Sequence, residues 1–89
     1  MTIKEFQKLI SDQYEHRDRE RGTAKTFLWF IEEVGELATA LASDDHENKI
    51  EEFGDVLAWL TTMANINDVD LEEAIRDKYL RGDGPKGHK

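Results

Sequence analysis

The chain contains no cysteine, a single proline at position 85, and no apolar run approaching the ~20 residues that a membrane-spanning helix requires. Without cysteine there is no disulfide, no thiolate zinc site and no cysteine nucleophile. Basic residues are also scarce: 12 Lys and Arg stand against 20 Asp and Glu, a formal net charge of −8. That balance excludes nonspecific binding to nucleic acid or to anionic membrane, both of which need a basic surface. A phosphate-cradling glycine loop and a nucleophile elbow are missing too, since Gly82 and Gly84 have no helical pattern after them. The Glu-x-x-His pairs of di-iron bundles are absent, because His16, His46 and His88 are preceded three residues earlier by Gln13, Ser43 and Pro85. All three histidines read as surface residues. The N-terminus carries Lys4 and Glu5 where a secretory signal needs an apolar stretch, so the expected compartment is the cytoplasm.

What remains is a chain of helical patterns. Its 89 residues make one domain that buries only about 60–65% of the surface its unfolded form exposes, so self-association would supplement the core. Thr2-x-x-Glu5 is a capping-box pattern, and Ile3, Phe6, Leu9, Ile10 and Tyr14 recur at helical spacing, predicting a helix from about residue 2 to 20 that stops at Gly22. The alternating run Arg17-Asp18-Arg19-Glu20-Arg21 reads as a solvated helix end. A second helix, capped by Thr23, carries a core stripe of Phe27, Phe30, Ile31, Val34, Leu37, Ala38 and Leu41 until Ser43-Asp44-Asp45 interrupts it. The third has its stripe at Ile50, Phe53, Val56, Leu57, Leu60 and Ala64 and ends near Asn67. So short a connection predicts antiparallel neighbours. Asp70-x-x-Glu73 opens a short fourth helix bearing Leu71, Ala74, Ile75 and Tyr79. The expectation is an all-α protomer over residues 1–81 with a mobile glycine-rich tail at 82–89.

The second and third helices each contain an acidic cluster, Glu32-Glu33-x-x-Glu36 and Glu52-x-x-Asp55. Residues three and four apart share a helix face, so each helix presents a carboxylate pair. At about 100° per residue, Lys25, Trp29, Glu33 and Glu36 form a stripe separate from the apolar residues of their helix, and Glu52, Asp55 and Trp59 do the same on theirs. Tryptophan precedes the acids in one helix and follows them in the other. An antiparallel hairpin therefore brings the four carboxylates together with both tryptophans about one turn, roughly 6 Å, beyond them. Such a charge concentration needs cations or protons, and oxygen-only ligation suits Mg²⁺ or Mn²⁺. That layout suits a nucleotide, with metal under the phosphates and an aromatic surface for the base. Each helix also carries an interior glycine, Gly35 and Gly54, for which close helix approach or space for a ligand would be reasons.

These acids resemble the signature of the MazG-like, all-α nucleoside triphosphate pyrophosphohydrolases. The likeness extends through Phe27-Leu28-Trp29-Phe30, Gly35-Glu36-Leu37, the Gly54–Leu60 run and Asp70-Leu71-Glu72-Glu73-Ala74, spanning roughly residues 23–79. The resemblance implies Mg²⁺-dependent cleavage of a nucleoside triphosphate between its α and β phosphates, giving the monophosphate and pyrophosphate. Carried over by motif position, the metal ligands are Glu33, Glu36, Glu52 and Asp55, with Glu32 supporting them or orienting water. Glu36 is the chosen proton acceptor. Trp29 and Trp59 are the base-side candidates, and Lys25, Lys78 and Arg81 the phosphate contacts. Here the sequence departs from the family, since no asparagine follows Lys78. The resemblance further implies a helical-bundle dimer or dimer of dimers. Two rival readings share these features: a phosphoribosyl-ATP pyrophosphohydrolase, and a noncatalytic helical dimerisation module stabilised by metal.

Overall fold

The computed structural model describes residues 1–80, so Arg81 and the expected tail at 82–89 lie outside the described residues. Four α-helices follow one another: α1 (Ile3–Arg21), α2 (Thr23–Leu41), α3 (His46–Ile66) and α4 (Leu71–Ile75), the last running on into a π-helical segment, Arg76–Leu80. No strand occurs among the described residues. The all-α expectation holds, and none of the described helices is long and apolar enough to cross a membrane.

Local chemistry sets the helix boundaries. The Thr2 hydroxyl accepts from the Glu5 amide at 3.0 Å while the Glu5 carboxylate accepts from the Thr2 amide at 2.7 Å, a complete capping box. Asp45 and Asp70 cap α3 and α4, accepting from the Asn48 amide at 3.1 Å and the Glu73 amide at 3.2 Å. The start of α2 differs from expectation. Thr23 is already helical, and Gly22 takes the cap position with no side-chain bond. Gly22 stands at φ 85°, donates its N–H to the Asp18 carbonyl at 3.0 Å and accepts from the Thr26 amide at 3.1 Å. One residue thus ends one helix and begins the next, in a conformation that suits only glycine.

Helix α3 is the central element, packed against both α2 and α1, with α1 also touching α4. Contacts between α2 and α3 pair Trp29 with Trp59 and bring Glu33 and Glu36 to Glu52, so one number rises as the other falls. That is the antiparallel hairpin expected from the short 42–45 connection. Long-range hydrogen bonds fasten α1 to the turn after α3. The Gln7 amide donates to the Asn65 side-chain oxygen at 3.0 Å and to the Val69 carbonyl at 2.7 Å, and it accepts from the Leu71 amide at 2.9 Å. The Arg19 guanidinium reaches the Asn65 carbonyl at 3.0 Å and the Asp68 carboxylate at 2.7 Å.

Two expectations about burial are corrected. The apolar stripes read as core are mostly exposed in the single chain: Phe27, Ile31, Val34 and Leu41 on α2, and Ile50, Phe53, Leu57 and Leu60 on α3. Phe53 keeps 56% of its surface open and Ile50 keeps 61%. The helices instead meet through small residues, with Thr26, Ala40, Thr61, Thr62 and Ala64 buried. Periodicity marks an apolar face but does not say whether this chain buries it. The second correction concerns the Arg17–Arg21 run. Asp18 is buried and Arg21 half-buried, because positions 10, 14, 18 and 21 share one helix face and continue the Ile10–Tyr14 stripe into the interior. As for Gly35 and Gly54, a Cβ built on either meets nothing within 4 Å, so close approach within this chain is not their reason.

Replacing Gly22 with alanine forces a Cβ into left-handed backbone, which costs about 1–2 kcal/mol. The expected result is a lower midpoint for Gly22→Ala in chemical denaturation with an unchanged slope.

Candidate metal and nucleotide site

The α2–α3 hairpin places Glu33, Glu36 and Glu52 so that one carboxylate oxygen from each lies within 4.8 Å of the others. Asp55, one turn beyond Glu52, is close enough to act electrostatically on both Glu33 and Glu52. Among the described residues, none of the ion pairs engages these acids. One oxygen each of Glu33 and Glu52 is buried with no hydrogen-bond partner. Burial first, then a shared proton with Glu36 and the negative charges of Glu36, Asp55 and Glu52, push the Glu33 carboxyl up from its ordinary 4.5 to about 7. Glu52 is raised for the same reasons, with burial foremost and then the charges of Glu36 and Asp55. Unpartnered carboxylate oxygens from two helices, with no basic side chain among them, fit a hard divalent cation. Protonation is the alternative way to relieve the charge.

The tryptophans lie beside the acids, as the reversed order of the two stripes requires. Their ring centroids are 5.5 Å apart and their planes meet at 84°, edge to face. A cavity of about 370 Å³ is lined by Trp29, Glu32, Glu33 and Trp59, so carboxylate and indole share one opening. Glu32 is exposed at that opening. The Lys25 ammonium sits 5.5 Å from the centre of the Trp29 ring, a cation–π contact that holds a positive charge next to the acids. Lys78 lies on the π-helical segment with its ammonium 5.6 Å from the Tyr79 ring, and it contributes to neither the acid cluster nor the tryptophan cavity.

Arg21 and Asp18 are the residues that sequence reasoning missed. The Arg21 guanidinium stands 4.7 Å from the Trp29 centroid and 5.1 Å from that of Trp59. It donates to the Asp18 carboxylate at 2.6 Å and to the Thr26 hydroxyl at 2.9 Å. It therefore braces both indoles from the α1 side. The available signal was the helical spacing from Ile10 to Arg21, which the alternating charges obscured.

The raised Glu33 carboxyl has a stability consequence. A group whose folded pKa lies above its unfolded value contributes fully below the unfolded value, and that contribution is lost as pH rises through the folded one. In metal-free protein, wild type and Glu33→Gln should have similar thermal midpoints near about pH 4.5, and wild type should fall behind as pH rises from there to about 7 and stay behind above it. Thermal melts across that range in chelator check this, and divalent cation should narrow the gap at the alkaline end.

Comparison with known proteins adds the family. A search of curated proteins found no match. The family model for the MazG nucleotide pyrophosphohydrolase domain matches residues 21–81, which takes in the hairpin, both tryptophans and all five acids. By that match, over most of its length, the chain belongs to the MazG nucleotide pyrophosphohydrolase family.

Proposed function

We propose that this protein hydrolyses nucleoside triphosphates to the monophosphate and pyrophosphate in the cytoplasm, using Mg²⁺ with Mn²⁺ as a substitute. Family membership supports nucleotide pyrophosphohydrolase chemistry in general. The observation that carries the finer reading is the convergence of Glu33, Glu36 and Glu52, with a buried unpartnered oxygen on Glu33 and on Glu52, beside a cavity lined by Glu33 and both tryptophans.

Glu33, Glu36, Glu52 and Asp55 would hold the cation. When bound, it polarises phosphate oxygens and makes a water more acidic. Glu36, the exposed member of the triad, accepts the proton of the attacking water, and Glu32 at the cavity mouth helps to orient that water. Trp29 and Trp59 supply the aromatic surface for the base, with Arg21 bracing both rings. Lys25 offsets phosphate charge from its seat on Trp29. Lys78 and Arg81 are proposed as further phosphate contacts from the C-terminal segment.

Self-association is part of the proposal. The eight large apolar side chains named above on the α2 and α3 stripes stand open on each copy. Completing the burial of half-exposed residues of this kind is worth on the order of 1 kcal/mol each, and two copies together can offset an association cost of about 4–15 kcal/mol. A second copy is the partner always present, and it carries the same uncharged stripe. A dimer, or a dimer of dimers, follows.

Glu36→Gln and Asp55→Asn should each reduce pyrophosphate release from a panel of nucleoside triphosphates by at least about 100-fold while retaining the helical circular-dichroism signal. Unchanged turnover would remove those residues from the site, and reaction with phosphoribosyl-ATP alone would move the protein to that narrower activity. Leu57→Glu, on the open stripe and away from the acids, should shift the sedimentation coefficient to that of a monomer.

A further inference from the structure

A second cavity lies between α1 and α3. Its volume is about 330 Å³, and its lining includes Tyr14, Asp18, Arg21, Trp59 and Thr62. Trp59 borders both this cavity and the one that holds Glu33. Apolar surface makes up most of the walls, and Arg17, Asp18 and Arg21 bring charge to them. Asp18 has a side chain only 7% exposed; one of its oxygens is fixed by the 2.6 Å ion pair to Arg21, and the other is buried with no hydrogen-bond partner. Tyr14 and Thr62 line the same cavity, yet neither supplies that oxygen with a donor. Leaving a buried acceptor unsatisfied is unfavourable, the more so when it is charged.

The position of that acceptor is fixed by its neighbours. Arg21 is held by Asp18, by the Thr26 hydroxyl at 2.9 Å and by both indole faces, so Asp18 has little freedom to turn. What would satisfy the open oxygen is an N–H donor on a flat group small enough for the cavity, stacked against Trp59, and joined to phosphates beyond it.

We propose that this cavity receives the base of the nucleotide and that Asp18 reads an exocyclic amino group on it, so that amino-bearing bases are preferred over their keto counterparts. The inference rests on the nucleotide reading above and assigns its substrate class. Cytosine and adenine carry the required N–H₂. Uracil and hypoxanthine put a carbonyl oxygen at the corresponding edge, acceptor against acceptor. A hydrogen bond to a charged group is worth about 1.5–3 kcal/mol, which corresponds to a preference of about 10- to 100-fold.

The test is saturable quenching of tryptophan fluorescence by nucleoside monophosphates, which needs no turnover. Wild type should bind dCMP at least about 10-fold more tightly than dUMP, and dAMP more tightly than dIMP, while N4,N4-dimethyl-dCMP, which has no N–H, should lose the advantage. Asp18→Asn turns an obligate acceptor into a group that can also donate, and it should bring the dCMP-to-dUMP ratio to one or below. Equal binding of each pair by wild type overturns the proposal, whether or not the variant folds. So does an undiminished ratio in a folded Asp18→Asn. Absence of saturable binding by any monophosphate overturns the base site too, and pyrophosphate release from triphosphates then judges the hydrolysis separately. A cytosine preference without any hydrolysis would uphold the base site and fail the catalytic reading instead.

Discussion

Uncompensated negative charge between α2 and α3 is the constraint on which the rest of this structure turns. Two helices that pack antiparallel ordinarily bring complementary or neutral residues together. Here they bring Glu33, Glu36 and Glu52 to within 4.8 Å with no basic side chain among them. The hairpin tolerates this because its attraction lies elsewhere, in small buried residues such as Thr26, Ala40 and Thr61, in the edge-to-face tryptophans, and in the arginine that braces them. Packing of the hairpin and repulsion within its acids are balanced at one locus, where protons or a cation can tip the balance. Sites that do chemistry are commonly places of that kind.

The acids and the tryptophans were legible in the sequence because a helix repeats its face every 3.6 residues and an antiparallel partner reads the same order backwards. Trp29 and Trp59 stand beside the cluster for that reason alone. The inward face of α1 was harder to read. Asp18 and Arg21 fall on the Ile10–Tyr14 stripe, but charged residues at a helix end are usually solvated, and nothing local showed that α2 would fold back over them. The apolar stripes of α2 and α3 were read as core, yet most of their residues stand exposed in the single chain. Periodicity marks an apolar face but carries no information on whether a neighbour within the chain packs on it. Thr23 was assigned the cap because its side chain can make the bond, whereas Gly22 takes the position through its backbone conformation.

Trp59 has a double role in this arrangement. It lines both the acid-side opening and the α1–α3 cavity. Arg21 lies against the same ring, and its carboxylate partner faces the second cavity. The chemistry on the hairpin and the pocket under α1 therefore share a wall. A substitution at Trp59 should be expected to disturb both.

From Ile3 to Leu41 the backbone is helical except at Gly22. Those two long helices therefore have no slack between them: a single φ, ψ pair decides the angle at which α1 leaves α2. Arg21 sits at the end of one arm and Trp29 near the start of the other, so the torsions of one glycine set where the guanidinium meets the indole. The corner works as a fixed set-square rather than a hinge, and an adjustment of a few degrees there would be magnified along the full length of α1.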